Sequence, residues 1–190
     1  AERYLKAIFG FPIFGIIRSG ISEIVKATKN NKILIIATES TVENGIYQEK
    51  IKSLVPSADV RAKGCSNLVR AVEDGHIDDD LAVQVVKEYL EEYRDFEFDT
   101  LVLGCTHFPL ARPAIEKVLE EMGKEVTIVD PAKSLAETVS EFLQDRDFEN
   151  KRSGIKLYTS HSSNDLSKMV KSILNMDCNE EEINEEDYKD

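Results

Sequence analysis

The sequence predicts an α/β protein built on a doubly wound parallel sheet. Helical and strand signals alternate along the chain, which is the pattern of strand–helix–strand units. The clearest strand, Lys32-Ile33-Leu34-Ile35-Ile36-Ala37, is an unbroken β-branched run, as expected for a strand covered on both faces. Polar residues gather directly behind the apolar runs, where open α/β sheets hold their ligands.

The elements follow in order. Ala1-Glu2-Arg3-Tyr4-Leu5 reads as the middle of an amphipathic helix with no initiating Met, so the start is expected to be a truncation. Residues 12–17 are expected as a short strand and 21–28 as a short helix. The strand at 32–37 ends in Thr38-Glu39-Ser40-Thr41. A helix follows through Ile46, Tyr47, Ile51 and Leu54, then a strand at 59–63 and a helical turn or two at 67–73 closed by Gly75. Asp78, Asp79 and Asp80 offer N-cap and first-turn acids to a long helix whose apolar stripe is Ala82, Val85, Val86, Tyr89, Leu90 and Tyr93. Residues 100–104 form a strand and 113–122 a helix. A strand at 126–129, a helix at 135–143, a strand at 155–158 and a helix at 166–173 complete the series.

Composition narrows the class. Apolar residues make up 42% and charged residues 32% of 190, which suits a folded domain rather than a disordered chain. No apolar run reaches the roughly 20 residues a membrane helix needs, and neither a signal peptide nor a membrane partner is expected. The net charge of −12 argues against nucleic acid. Eight of the acids fall in residues 177–190, expected to be a solvated, disordered tail. Cys65, Cys105 and Cys178 are too few for a disulfide framework and read as reduced, cytoplasmic thiols. With His76, His107 and His161 they lack metal-ligand spacing, so no metal is expected.

Three strand ends carry polar residues: Thr38/Ser40/Thr41, the Cys65 region, and Gly104-Cys105-Thr106-His107. The third is the sharpest. An apolar strand delivers a glycine, a thiol, a hydroxyl and an imidazole before Pro109 breaks the backbone. Gly104 is expected to let the backbone approach a ligand, and a helix starting soon after Cys105 would favour the thiolate. The plain alternative is that Cys105 is a small buried hydrophobe, His107 a structural imidazole and Glu73 a solvated helix residue.

Leu101-Val102-Leu103-Gly104-Cys105-Thr106-His107-Phe108-Pro109-Leu110 resembles the C-terminal cysteine motif of glutamate racemases, in the aspartate/glutamate racemase superfamily. His107, where that superfamily often has Glu, favours the glutamate branch. Phe11-Pro12-Ile13-Phe14-Gly15-Ile16-Ile17, Ala37-Thr38-Glu39-Ser40-Thr41, Gly45-Ile46-Tyr47 and Val72-Glu73-Asp74-Gly75 are similar to family segments in the same order.

The resemblance implies flavodoxin-like domains facing each other across a site that needs neither pyridoxal phosphate nor metal. One cysteine removes the α-proton of glutamate and a second, on the opposite face, returns one. By motif Cys105 is one base, Thr106 and His107 contact substrate or assist it, Glu73 supports the same side, and Thr38 and Thr41 line the pocket. The family's Ala-Cys-Asn-Thr motif, which carries the other cysteine, does not occur here. Arg18-Ser19-Gly20 stands where the family has Glu-Pro-Gly. The implied division is a first-domain remnant at 1–17, a complete second domain at 18–131, a return segment at 132–176 and the tail at 177–190. The implied partner is glutamate, in D-glutamate supply for peptidoglycan and cell shape, and a homodimer is among the assemblies the resemblance allows. Two other readings stay open: a racemase for another amino acid such as aspartate, and an inactive binding or regulatory module.

Overall fold

The computed structural model describes residues 2–144, 156–159 and 165–183. The chain divides into two units, Ala1–Asp145 and Arg146–Asp190.

The first unit opens with α1 (Glu2–Ile8) and α2 (Ile16–Ala27), followed by β1 (Lys32–Ala37). Next come α3 (Glu39–Asn44), α4 (Ile46–Leu54), β2 (Asp59–Gly64), α5 (Ser66–Glu73) and α6 (Asp80–Leu90). Then follow β3 (Thr100–Leu103), a 3-10 turn (Phe108–Ala111), α7 (Arg112–Glu121), β4 (Thr127–Val129) and α8 (Pro131–Leu143). The sheet is parallel, in the order β2-β1-β3-β4. This is the doubly wound α/β fold expected from the alternation.

The β-branched run of β1 explains the layering. Leu34 and Ile36 point to one face, where Leu101 and Leu103 of β3 meet Leu68, Val86, Leu90 and Ile115 of α5, α6 and α7. Ile33, Ile35 and Ala37 point to the other, against Ile21 and Ile24 of α2 and Tyr47 and Ile51 of α4. Both faces of β1 are therefore covered, which is why its sequence shows no polar alternation. Asp79 caps α6 as expected, its Oδ1 accepting from the Ala82 amide at 2.9 Å.

Residues 12–17, expected as a strand, are not one. The chain runs without regular structure to Gly15, and α2 begins at Ile16. The apolar residues are used differently: Phe14 packs edge-on against Phe142 of α8. The polar segment 39–44 forms the short helix α3, which a reading of Thr38-Glu39-Ser40-Thr41 as a strand end does not anticipate.

The second unit contains β5 (Lys156–Thr159), α9 (Asp165–Leu174) and β6 (Asn179–Glu182). Residues 179–182 were expected in a disordered tail. They instead pair in parallel with β5, giving a two-stranded sheet. Residues 184–190 of that tail, together with residue 155 and His161, lie outside the described residues.

No helix among the described residues is long and apolar enough to cross a membrane.

Candidate active site

The strand order reverses direction at β1 and β3: β2 lies on one side of β1, and β3 and β4 on the other. Chain segments leaving β1 and β3 part there, opening a crevice at the carboxyl end of the sheet. Thr38 leaves β1 and Gly104-Cys105 leaves β3, so two of the three expected polar strand ends flank this crevice.

On the β3 side, the backbone curls directly after the strand. The Phe108 amide donates to the Cys105 carbonyl at 3.3 Å, and the Leu110 amide to that of His107 at 3.0 Å. Phe108 is fully buried and anchors the curl. The turn brings His107 Nδ1 to 3.7 Å from Cys105 Sγ. The other ring nitrogen, Nε2, lies 3.4 Å from Glu73 Oε1. A thiol, an imidazole and a carboxylate thus stand in line, with the imidazole able to pass a proton at either end.

Glu73 reaches this position because α5 stops there. Gly75 adopts a left-handed conformation, φ +91°. Its amide donates to Val72 O, and the His76 amide to Ala71 O, the paired bonds of a Schellman termination. Any residue with a Cβ is strained in that conformation, so the glycine fixes where α5 ends.

On the β1 side, Thr38 caps α3. Its hydroxyl accepts from the Thr41 amide at 3.4 Å and lies 2.9 Å from the Thr41 hydroxyl. A cavity of about 170 Å³ lies between the two sides, and Cys105, Thr106 and Thr41 line it together. Thr38, His107 and Glu73 do not line it: Thr38 connects to it through Thr41, and His107 and then Glu73 connect to it through Cys105. A larger hollow of about 430 Å³ lies along α7 and the edge strand β4. It is lined by solvated side chains such as Glu116 and Glu120 and is remote from this chemistry.

Gly104 lines the cavity, and its missing side chain has a second use: a Cβ there would stand 2.9 Å from Ala37 Cβ and 3.1 Å from Ile36 O. The glycine allows the tight approach of β3 to β1, whose Ile36 carbonyl accepts from the Gly104 amide at 2.7 Å. The condition for a helix-favoured thiolate is not met, because no α-helix starts at the thiol. A single 3-10 turn follows Cys105, and α7 begins only at Arg112, so the thiol lacks a full helix N-terminus.

Cys65, at the end of β2, is 1% exposed. Burial, and then the charge of Glu39, pushes its thiol up to about 12. It is the wrong group for proton transfer at neutral pH. The cysteines are free, and among the described residues no group of three His, Cys, Asp or Glu converges to hold a metal.

The sequence reading missed Tyr47 and Asp130, both of which line the cavity beside Cys105. Asp130 carried a visible signal: it follows the apolar strand β4 directly, as Cys105 follows β3. Tyr47 did not, because it sits in the apolar stripe of α4 and is only 3% exposed. Burial first, then the Asp130 charge, pushes its phenol up to about 12, so it stays a neutral donor.

Known proteins resemble this chain over most of its length. The family described as Asp/Glu/Hydantoin racemase matches residues 3–139. The chain is 35% identical over 171 residues to a glutamate racemase from Aquifex aeolicus, covering 90% of this chain and 63% of that protein. It is 33% identical over 187 residues to one from Streptococcus agalactiae, covering 96% and 69%. A crystal structure of a glutamate racemase isoform from Bacillus anthracis superposes with a TM-score of 0.83 at 28% identity, covering 96% of this chain and 68% of that one. The chain thus spans a little under two thirds of the Aquifex protein. With the family match running from α1 through most of α8 and taking in every residue of the crevice, this chain belongs to the Asp/Glu/hydantoin racemase family.

Proposed function

We propose that this chain carries one proton-transfer half of a cofactor-independent glutamate racemase, with Cys105 as the base on one face of the substrate's α-carbon. The observation that supports it is the Cys105–His107–Glu73 alignment beside a cavity of amino-acid size. In the forward step the Cα–H bond breaks and an S–H bond forms. The electron pair left on Cα spreads into the adjacent carboxyl group. His107 relays the proton between the thiol and solvent or Glu73, and Thr106 and Thr41 donate to substrate oxygens. Glutamate is the substrate because the relatives are glutamate racemases, and the product would enter peptidoglycan synthesis in the cytoplasm.

Inversion needs a donor on the opposite face as well. Cys65 does not serve, because it is buried and its thiol is pushed up to about 12, and Cys178 lies beyond the residues that match the family. We assign residues 18–131 to the half that holds Cys105, and residues 1–17 and 132–176 to the other domain of the racemase, which would present the second thiol.

The test uses the 190-residue chain with D- and L-glutamate in D₂O. NMR should show solvent deuterium entering the α-position of one enantiomer, while circular dichroism shows no net racemisation. Cys105→Ala should abolish the exchange. Undiminished exchange in that variant would remove Cys105 from the mechanism. Full racemisation by this chain alone would place a second base within it.

A further inference from the structure

The cavity beside Cys105 has an uneven charge. Of the residues lining it, Asp130 is the only one that carries a full charge; the others are apolar, hydroxyl-bearing or the thiol itself. Asp130 is half-buried. Its Oδ1 accepts from the Ala132 amide at 2.9 Å and so caps α8. Its second carboxylate oxygen accepts no hydrogen bond from a described residue. Tyr47, buried beneath the same cavity, is close enough for the Asp130 charge to act on its phenol. A half-buried carboxylate with one oxygen uncommitted, facing a space without a cation, is a site that lacks its counter-charge.

An amino-acid substrate carries two kinds of charged group. Its carboxylates would be repelled by Asp130, whereas its α-ammonium matches it in sign and in hydrogen-bonding capacity. The ammonium is bonded to the same carbon whose proton Cys105 is to remove. Binding it in this cavity brings the Cα–H bond to the thiol.

We propose that Asp130, supported by Tyr47, is the α-ammonium subsite of this half of the crevice, which makes it a residue selecting for amino acids over plain dicarboxylates. This rests on the assignment of Cys105 to the substrate cavity. It adds a substrate-binding group beyond the thiol, the imidazole and the two threonines.

The test measures how ligands protect Cys105 from iodoacetamide, read site by site by mass spectrometry on the 190-residue chain. D-glutamate is compared with glutarate, the same diacid without the amino group. Glutamate should protect at lower concentration. Asp130→Asn keeps an N-cap acceptor for the Ala132 amide but removes the charge. It should weaken protection by glutamate about tenfold and leave glutarate unchanged or improved. Should that variant melt early, Asp130→Ser, also a capping residue, repeats the comparison. Unchanged glutamate protection in the variants, or equal loss for both ligands, overturns the subsite while leaving the Cys105 assignment standing. No protection of the unsubstituted chain by glutamate overturns both.

Discussion

Individual residues divide by how local their role is. Cys105, Thr38 and Thr41 stand out in the sequence because they lie within four residues of the end of an apolar strand, and a polar group there has few purposes besides ligand contact or capping. The same logic covers Asp130, whose place after β4 was visible but was masked by the more distinctive thiol motif. Tyr47 was not legible, because a buried tyrosine and a core tyrosine look alike until the cavity beside it is seen. Gly104 has a packing role besides its place on the cavity wall. Its contact is with β1, and this gives a stability prediction rather than a binding one. Gly104→Ala places a methyl group 2.9 Å from Ala37 Cβ and 3.1 Å from a backbone oxygen that cannot rotate away. Overpacking of this kind costs about 1–3 kcal/mol. Urea unfolding should show the midpoint fall by a corresponding amount with an unchanged slope. An unaffected midpoint would mean that β3 relaxes away from β1 without cost.

Among the elements, β1, β2, β3 and α6 matched their sequence signals because pattern and burial agree in them. Each is a run whose apolar period fits its final surroundings. Residues 12–17 failed because an apolar run states a need for burial and not the means, and here a loop and the start of α2 supply it. The loop between α2 and β1 has a further anchor that no periodicity reveals. Asp99, just before β3, accepts from Thr28 Oγ1 at 2.7 Å and from the Lys29 and Asn30 amides at 2.6 and 2.7 Å. Thr100 Oγ1 donates to it as well, at 2.9 Å. Burial alone would raise the Asp99 pKa, but these hydrogen bonds together outweigh burial and hold it below the ordinary value. A carboxyl group with a depressed folded-state pKa contributes stability that is fully present above its unfolded pKa, about 4, and is lost as pH falls through the folded value. Asp99→Asn should therefore destabilise the chain by about 1–3 kcal/mol at pH 7. It should also flatten the loss of stability as pH falls below about 4. Parallel pH profiles for the two proteins, followed by urea midpoint, would remove Asp99 from the acid response.

At the scale of the whole molecule, the two units differ in how their backbones are held. In the first, β1 and β3 are each bonded on both sides within a four-stranded sheet, and helices cover both faces. Among the described residues of the second, β5 and β6 pair only with each other. A two-stranded sheet is marginal by itself. The apolar residues around it are poorly covered, with Tyr158 51%, Ile173 49% and Leu174 54% exposed. The helix α8 stands between these cases. It belongs to the first unit and buries Pro131 and Ser134 at its start, while Leu143 at its end is 38% exposed. Amide exchange follows such differences, because a segment opens locally at a free energy set by its own buried contacts. Strong protection is therefore expected at Ile33–Ile36 and Leu101–Leu103, graded protection falling along α8 from Ser134 towards Leu143, and weak protection in β5, α9 and β6. Hydrogen–deuterium exchange with peptide-level mass spectrometry on the 190-residue chain resolves all three. Exchange in the second unit as slow as in β1 would show that its strands and helix gain cover from contacts beyond their own, and that the two units open as one.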